Sequence, residues 1–137
     1  MTLEPVLSKS FPIPAEDVFD ISDAFLEAAH ALFLQRKNNV LTEIEQQDLI
    51  NAEITLRTEA DRYRAQGITL LEESSAQQIE SINTQISYAK ATIEKVGNIK
   101  HAIDIAAALV TLSAALASGQ PSQIQHAGQS LQNLVNL

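Results

Sequence analysis

No proline occurs between Pro14 and Pro121; the four prolines of the chain are Pro5, Pro12, Pro14 and Pro121. Proline removes a backbone donor and clashes with the preceding turn, at about 3 kcal/mol in a helix interior, so residues 15–120 are free of the strongest helix breaker. β-Branched and aromatic residues nowhere alternate for long without helical spacing fitting better, which leaves little signal for strands. The expected fold class is all-α: a helical bundle with a long coiled-coil-like helix and a helical C-terminal hairpin. Residues 1–14 read as an extended N-terminal arm, because residues before proline are pushed out of helical geometry. Residues 15–137 read as a single helical bundle domain, and a chain of 137 residues can bury a core without disulfides or metals.

The first helix is expected over Ala15–Lys37, with Glu16, Asp17 and Asp20 at its positive end, Arg36 and Lys37 at its negative end, and Asn38-Asn39 as the stop. Val18, Phe25 and Leu32 repeat at seven residues, as do Phe19, Leu26 and Phe33, with Ile21 and Ala28 between them. A second helix begins at "TEIE", where Thr42 and Glu45 have the spacing of a capping box. Leu49, Leu56, Tyr63 and Leu70 carry its apolar face; Gly67 is either tolerated inside it or ends it.

From Ile79 a heptad stripe runs through Ile82, Ile86, Ala89, Ile93, Val96, Lys100, Ile103, Ala107, Val110, Ala114 and Ala117. It passes Gly97-Asn98 in phase, which favours one continuous helix there. Between Leu71 and Ile79 the spacing slips, and a kink, stutter or turn is expected. A last helix is expected from about Pro121 to Val135, with Gly119 closing the element before it and Ile124, Ala127, Leu131 and Leu134 on its apolar edge.

After Asp104 no Asp, Glu, Lys or Arg occurs to the end of the chain. A membrane-crossing helix needs about 20 predominantly apolar residues, more than the clean run Ile105–Ala117 provides, and many of those are alanines that add little transfer energy. Packing in a core or between subunits is the favoured reading; contact of this hairpin with lipid is the alternative.

The chain has nine Lys and Arg against seventeen Asp and Glu, a formal charge of −8, and the basic residues are scattered, so nucleic acid is not an expected partner. The absence of cysteine excludes thiol chemistry and cysteine-ligated metals. The N-terminus "MTLEPVLSKSFPIPA" lacks the apolar stretch of a secretory signal, and a cytoplasmic location is expected. Glu27 with His30, and His101 with Asp104, are each three apart on a helix face. Carboxylate-bridged metal bundles need two Glu-x-x-His motifs and two further glutamates, and only one such motif is here, so neither metal nor other cofactor is expected. No catalytic residue is identified: no glycine-rich phosphate loop occurs, and no histidine neighbours a plausible serine nucleophile.

The functional expectation is a non-enzymatic module for protein–protein interaction or self-assembly, either a homo-oligomer or bound to a helical partner. The alternative is an amphipathic helical protein that adsorbs to lipid or another hydrophobic surface. The interface candidates are Ile79, Ile82, Ile86, Ile93, Val96, Ile103, Val110 and Ala114, because a stripe of this length exceeds what one short neighbouring helix can cover.

Overall fold

The structure is a computed structural model that describes residues 11–70 and 78–136. Five helices make it an all-α bundle: α1 (Ala15–Asn38), α2 (Glu43–Gln66), α3 (Gln78–Lys95), α4 (Ile99–Ser118) and α5 (Pro121–Val135). Two short segments, β1 (Phe11–Pro12) and β2 (Thr69–Leu70), pair antiparallel, with Phe11 opposite Leu70 and Pro12 opposite Thr69. The pairing continues inward as the Ile13 N–H donates to the Ile68 carbonyl at 2.9 Å, and both side chains are buried. The rest of the expected arm, residues 1–10, and the phase slip expected before Ile79 lie outside the described residues.

Local chemistry fixes the helix ends. Thr42 accepts from the Glu45 N–H at 3.1 Å while the Glu45 carboxylate accepts from the Thr42 N–H at 2.9 Å, completing the capping box that starts α2. At the other end Gly67 has φ 76° and ψ −178°, a conformation open essentially to glycine alone, and α2 stops there. Asn98 starts α4 by accepting from the Lys100 N–H at 2.9 Å.

That cap corrects the expectation of one helix through Gly97-Asn98. α3 ends at Lys95 and α4 begins at Ile99, so the long coiled-coil-like helix is two helices joined by a turn. The heptad count does not survive the turn. On α3 the stripe is right: Ile82, Ile86, Ala89 and Ile93 are buried. On α4 the buried face is Ala102, Ile105, Ala106, Leu109, Leu112 and Leu116, and the extrapolated positions Ala107, Ala114 and Ala117 are exposed. A turn resets rotational phase, and the larger side chains then decide which side goes in, at about 1.5–3 kcal/mol for each Leu or Ile buried.

Ion pairs and shared grooves set the helix directions. Arg36 pairs with Glu53 and Arg64 with Asp23, so α1 and α2 are antiparallel. Asp48 to Thr55 of α2 lie beside Ile103 to Val110 of α4, and the Tyr63 hydroxyl donates to the Ser113 carbonyl, so α2 and α4 run parallel. His101 meets the Leu134 carbonyl while Thr111 and Ala115 meet Ser122 to Ala127, so α4 and α5 are antiparallel. The principal contacts, α1 with α2 and α3, α5 with α3 and α4, and α4 with α2, close a ring in the order α1, α2, α4, α5, α3. Phe25, Leu32, Leu49, Leu56, Ile86, Ile93, Ile105 and Leu109 fill its centre.

Candidate interaction surface

The ring leaves one side of α4 facing outward. Once Ile105, Leu109, Leu112 and Leu116 have turned inward, the outer side is formed by Ala107, Thr111, Ala114 and Ala117, all exposed, with Ile103 and Val110 half-buried at its edge. No charged side chain lies on this side between Asp104 and the end of the helix. A groove flanks it on each hand. Between α2 and α4 one of about 390 Å³ is lined by Asn51, Ala52, Thr55, Ile103, Ala107 and Val110, with Asp48 at its edge. Between α4 and α5 another of about 520 Å³ is lined by Thr111, Ala114, Ala115, Ser122, Gln123, His126 and Ala127. Ile44, 75 % exposed and one turn before Asp48 on α2, and Val40, 104 % exposed in the preceding turn, add apolar surface close to the first groove in sequence.

The eight interface candidates divide by helix. Ile82, Ile86 and Ile93 of α3 are buried within the chain, so the stripe they form is already covered by its own neighbours. The side chain of Ile79 lies outside the described residues. Val96 is half-buried in the turn between α3 and α4. Ile103, Val110 and Ala114 line the two grooves beside α4. Sequence reasoning missed that α4 presents two different faces, one of large and one of small residues. The larger side chains at 105, 109, 112 and 116, spaced by four, three and four, were the available signal.

The residues weighed for metal binding are not gathered. His30 is exposed and stacks on Phe33 with ring centroids 6.0 Å apart; Glu27 is exposed on the same helix. Nε2 of His101 meets the Leu134 carbonyl at 2.8 Å, tying the start of α4 to the end of α5, and Asp104 is exposed. Among the described residues no three His, Asp or Glu side chains are grouped to hold an ion.

Two polar contacts brace the helices that carry the surface. Arg36 grips Glu53 through both guanidinium arms, at 2.8 and 3.0 Å, and Glu53 is only 6 % exposed. The hydrogen bond to this carboxylate raises the Arg36 pKa above its ordinary value. Burial pushes the Tyr63 phenol up, reinforced by the Glu59 charge, while the Arg62 charge opposes them. Arg36 with Glu53 locks α2 to α1, and Tyr63 locks α2 to α4.

No family model, curated protein or solved structure matches this chain.

Proposed function

We propose that the chain is a non-enzymatic self-assembly module that associates through the outward face of α4. The observation that carries this reading is the uncharged, small-residue face of α4 with a groove on either side. Alanine and threonine at 107, 111 and 114 let a second helix approach closely, and ridges of side chains on one helix pack into grooves beside another. A second copy is the favoured partner because this face is uncharged and self-complementary, which keeps the repulsion between two chains of formal charge −8 away from the contact. Two copies meeting at this neutral face bury few charges, and a two-fold axis lets each ridge enter the partner's groove. His30 and His101 engage Phe33 and a backbone carbonyl rather than a carboxylate, which also favours a binding role over acid–base chemistry.

The lipid-surface alternative draws on one feature. Among the described residues α4 alone is long and apolar enough to cross a membrane, with a mean hydropathy of 1.6 over its most apolar window. Its large side chains, however, are used inside the bundle, which leaves alanine to meet lipid.

Sedimentation velocity over a dilution series tests the proposal. The wild type is expected to show a mass that rises with concentration. Ala107→Glu and Ala114→Glu, at exposed helix positions, are expected to stay monomeric with a stability change within about 0.5 kcal/mol. A wild type that remains monomeric at every concentration would sink the reading, and one that is monomeric but pellets with phosphatidylcholine vesicles would replace it with the lipid alternative.

A further inference from the structure

We infer that the groove between α3 and α5 is a binding site for a neutral polyhydroxylated ligand, a short saccharide chain. This site lies on a different pair of helices from the α4 surface and does not depend on the self-assembly reading. The groove, about 300 Å³, is lined by Ser81, Thr84, Gln85 and Tyr88 of α3 and by Gln132, Val135 and Asn136 of α5. It adjoins a second hollow of about 160 Å³ that shares Ser81 and Gln85 and has Gly128 in its wall. Among the described residues neither hollow is lined by a charged side chain, in a protein of which 19 % of residues are charged.

Three details distinguish the groove from an ordinary polar surface. Tyr88 is 63 % exposed, and its hydroxyl has no hydrogen-bond partner among the described residues. An aromatic ring left open at a rim provides an apolar plate with a polar tip, which suits a pyranose: its C–H face lies on the ring and its hydroxyls reach the phenol. Gln85 Oε1 is buried without a hydrogen-bond partner, an acceptor whose desolvation is uncompensated. Finally, a Cβ on residue 128 would lie 2.8 Å from that oxygen, so glycine there is what lets the Gln85 amide lie flush against α5. The terminal amide torsion is soft, and a small rotation turns the same amide toward a ligand hydroxyl.

The chemistry of the lining selects the ligand class. Each amide of Gln85, Gln132 and Asn136 offers a donor pair and an acceptor, and Ser81 adds a hydroxyl that does both. Such a set matches vicinal hydroxyls, which also donate and accept, while a phosphate or carboxylate would find no cation among the described lining residues. A peptide main chain is the competing neutral ligand. Peptide grooves rely on strand ladders or on a series of apolar anchor pockets, whereas the described α3–α5 lining has no strand edge and only the Tyr88 ring and Val135 as apolar side chains among amides and hydroxyls.

The test is a ¹⁵N–¹H correlation titration of the full chain with maltotriose, cellotriose and triacetylchitotriose, and with a Gly-Ser-Gly-Ser peptide in parallel. At least one trisaccharide is expected to shift amides in residues 81–88 and 125–136 saturably. Tyr88→Ala is expected to weaken that binding tenfold or more with an unchanged melting temperature. Gly128→Ala is expected to retain the fold, because it displaces only the end of a flexible side chain, and to weaken binding by moving the Gln85 amide. Absence of a saturable shift with all three sugars, equal affinity in Tyr88→Ala, or shifts produced by the peptide alone would each overturn the inference.

Discussion

Tyr63 is 2 % exposed, packs against Phe25 with ring centroids 6.1 Å apart, and gives its only proton to the Ser113 carbonyl. Burial raises its pKa in the fold above the ordinary tyrosine value of about 10, which sets the direction of a pH dependence. Below pH 10 both folded and unfolded chains keep the phenol protonated, so the contribution to stability is constant. Above pH 10 the unfolded chain loses the proton while the fold retains it, so stability falls with rising pH, approaching about 1.4 kcal/mol per pH unit. Denaturant titrations between pH 8 and 11 are expected to show this fall in the wild type and a shallower one in Tyr63→Phe, which also loses about 1 kcal/mol at neutral pH with its hydrogen bond. Equal slopes for the two proteins would contradict the assignment. Tyr63 was legible in the sequence as a core position from its spacing with Leu49 and Leu56, whereas its bond to a residue fifty positions away was not.

At the scale of helices, the Arg36–Glu53 fork is the polar lock between α1 and α2. Removing one partner leaves the other poorly solvated, so Glu53→Ala is expected to cost about 2–4 kcal/mol. Replacing both, as Arg36→Met with Glu53→Leu, is expected to recover most of that loss, because neither charge is then stranded. Thermal denaturation of the single and double variants checks this, and a double variant no better than Glu53→Ala would show that the lock is chiefly a matter of packing. Elements were the scale at which sequence reasoning did best. The capping box at Thr42, the charge-matched ends of α1 and Pro121 in the first turn of α5 are short-range features, written in neighbouring residues. The turn between α3 and α4 is equally local, since Asn98 caps with its own side chain, but the seven-residue count read through it as though the helix continued.

For the whole molecule, closure of the helical ring assigns each apolar stripe to the core or to the outside. Ile86 and Ile93 are fully buried inside one chain, so replacing either with alanine is expected to cost about 2–5 kcal/mol of folding stability. Self-association of the protein that remains folded is expected to be unchanged, because neither residue reaches the α4 face. Parallel denaturation and sedimentation of Ile86→Ala and Ile93→Ala measure the two effects separately, and a loss of assembly at full stability would return the α3 stripe to the interface. The sequence by itself determined that the chain is helical, and where most helices start and stop, because proline placement, caps and turn residues act over a few positions along the backbone. It also determined that residues 105–137 carry no formal charge. Only the tertiary structure decided which side of α4 faces water, that Tyr63 reaches Ser113, and that Gln85 lies against Gly128. Those outcomes depend on the rotation of each helix about its axis and on its choice of neighbours. Both are set by competition among all the apolar faces for one shared core, which no single segment encodes.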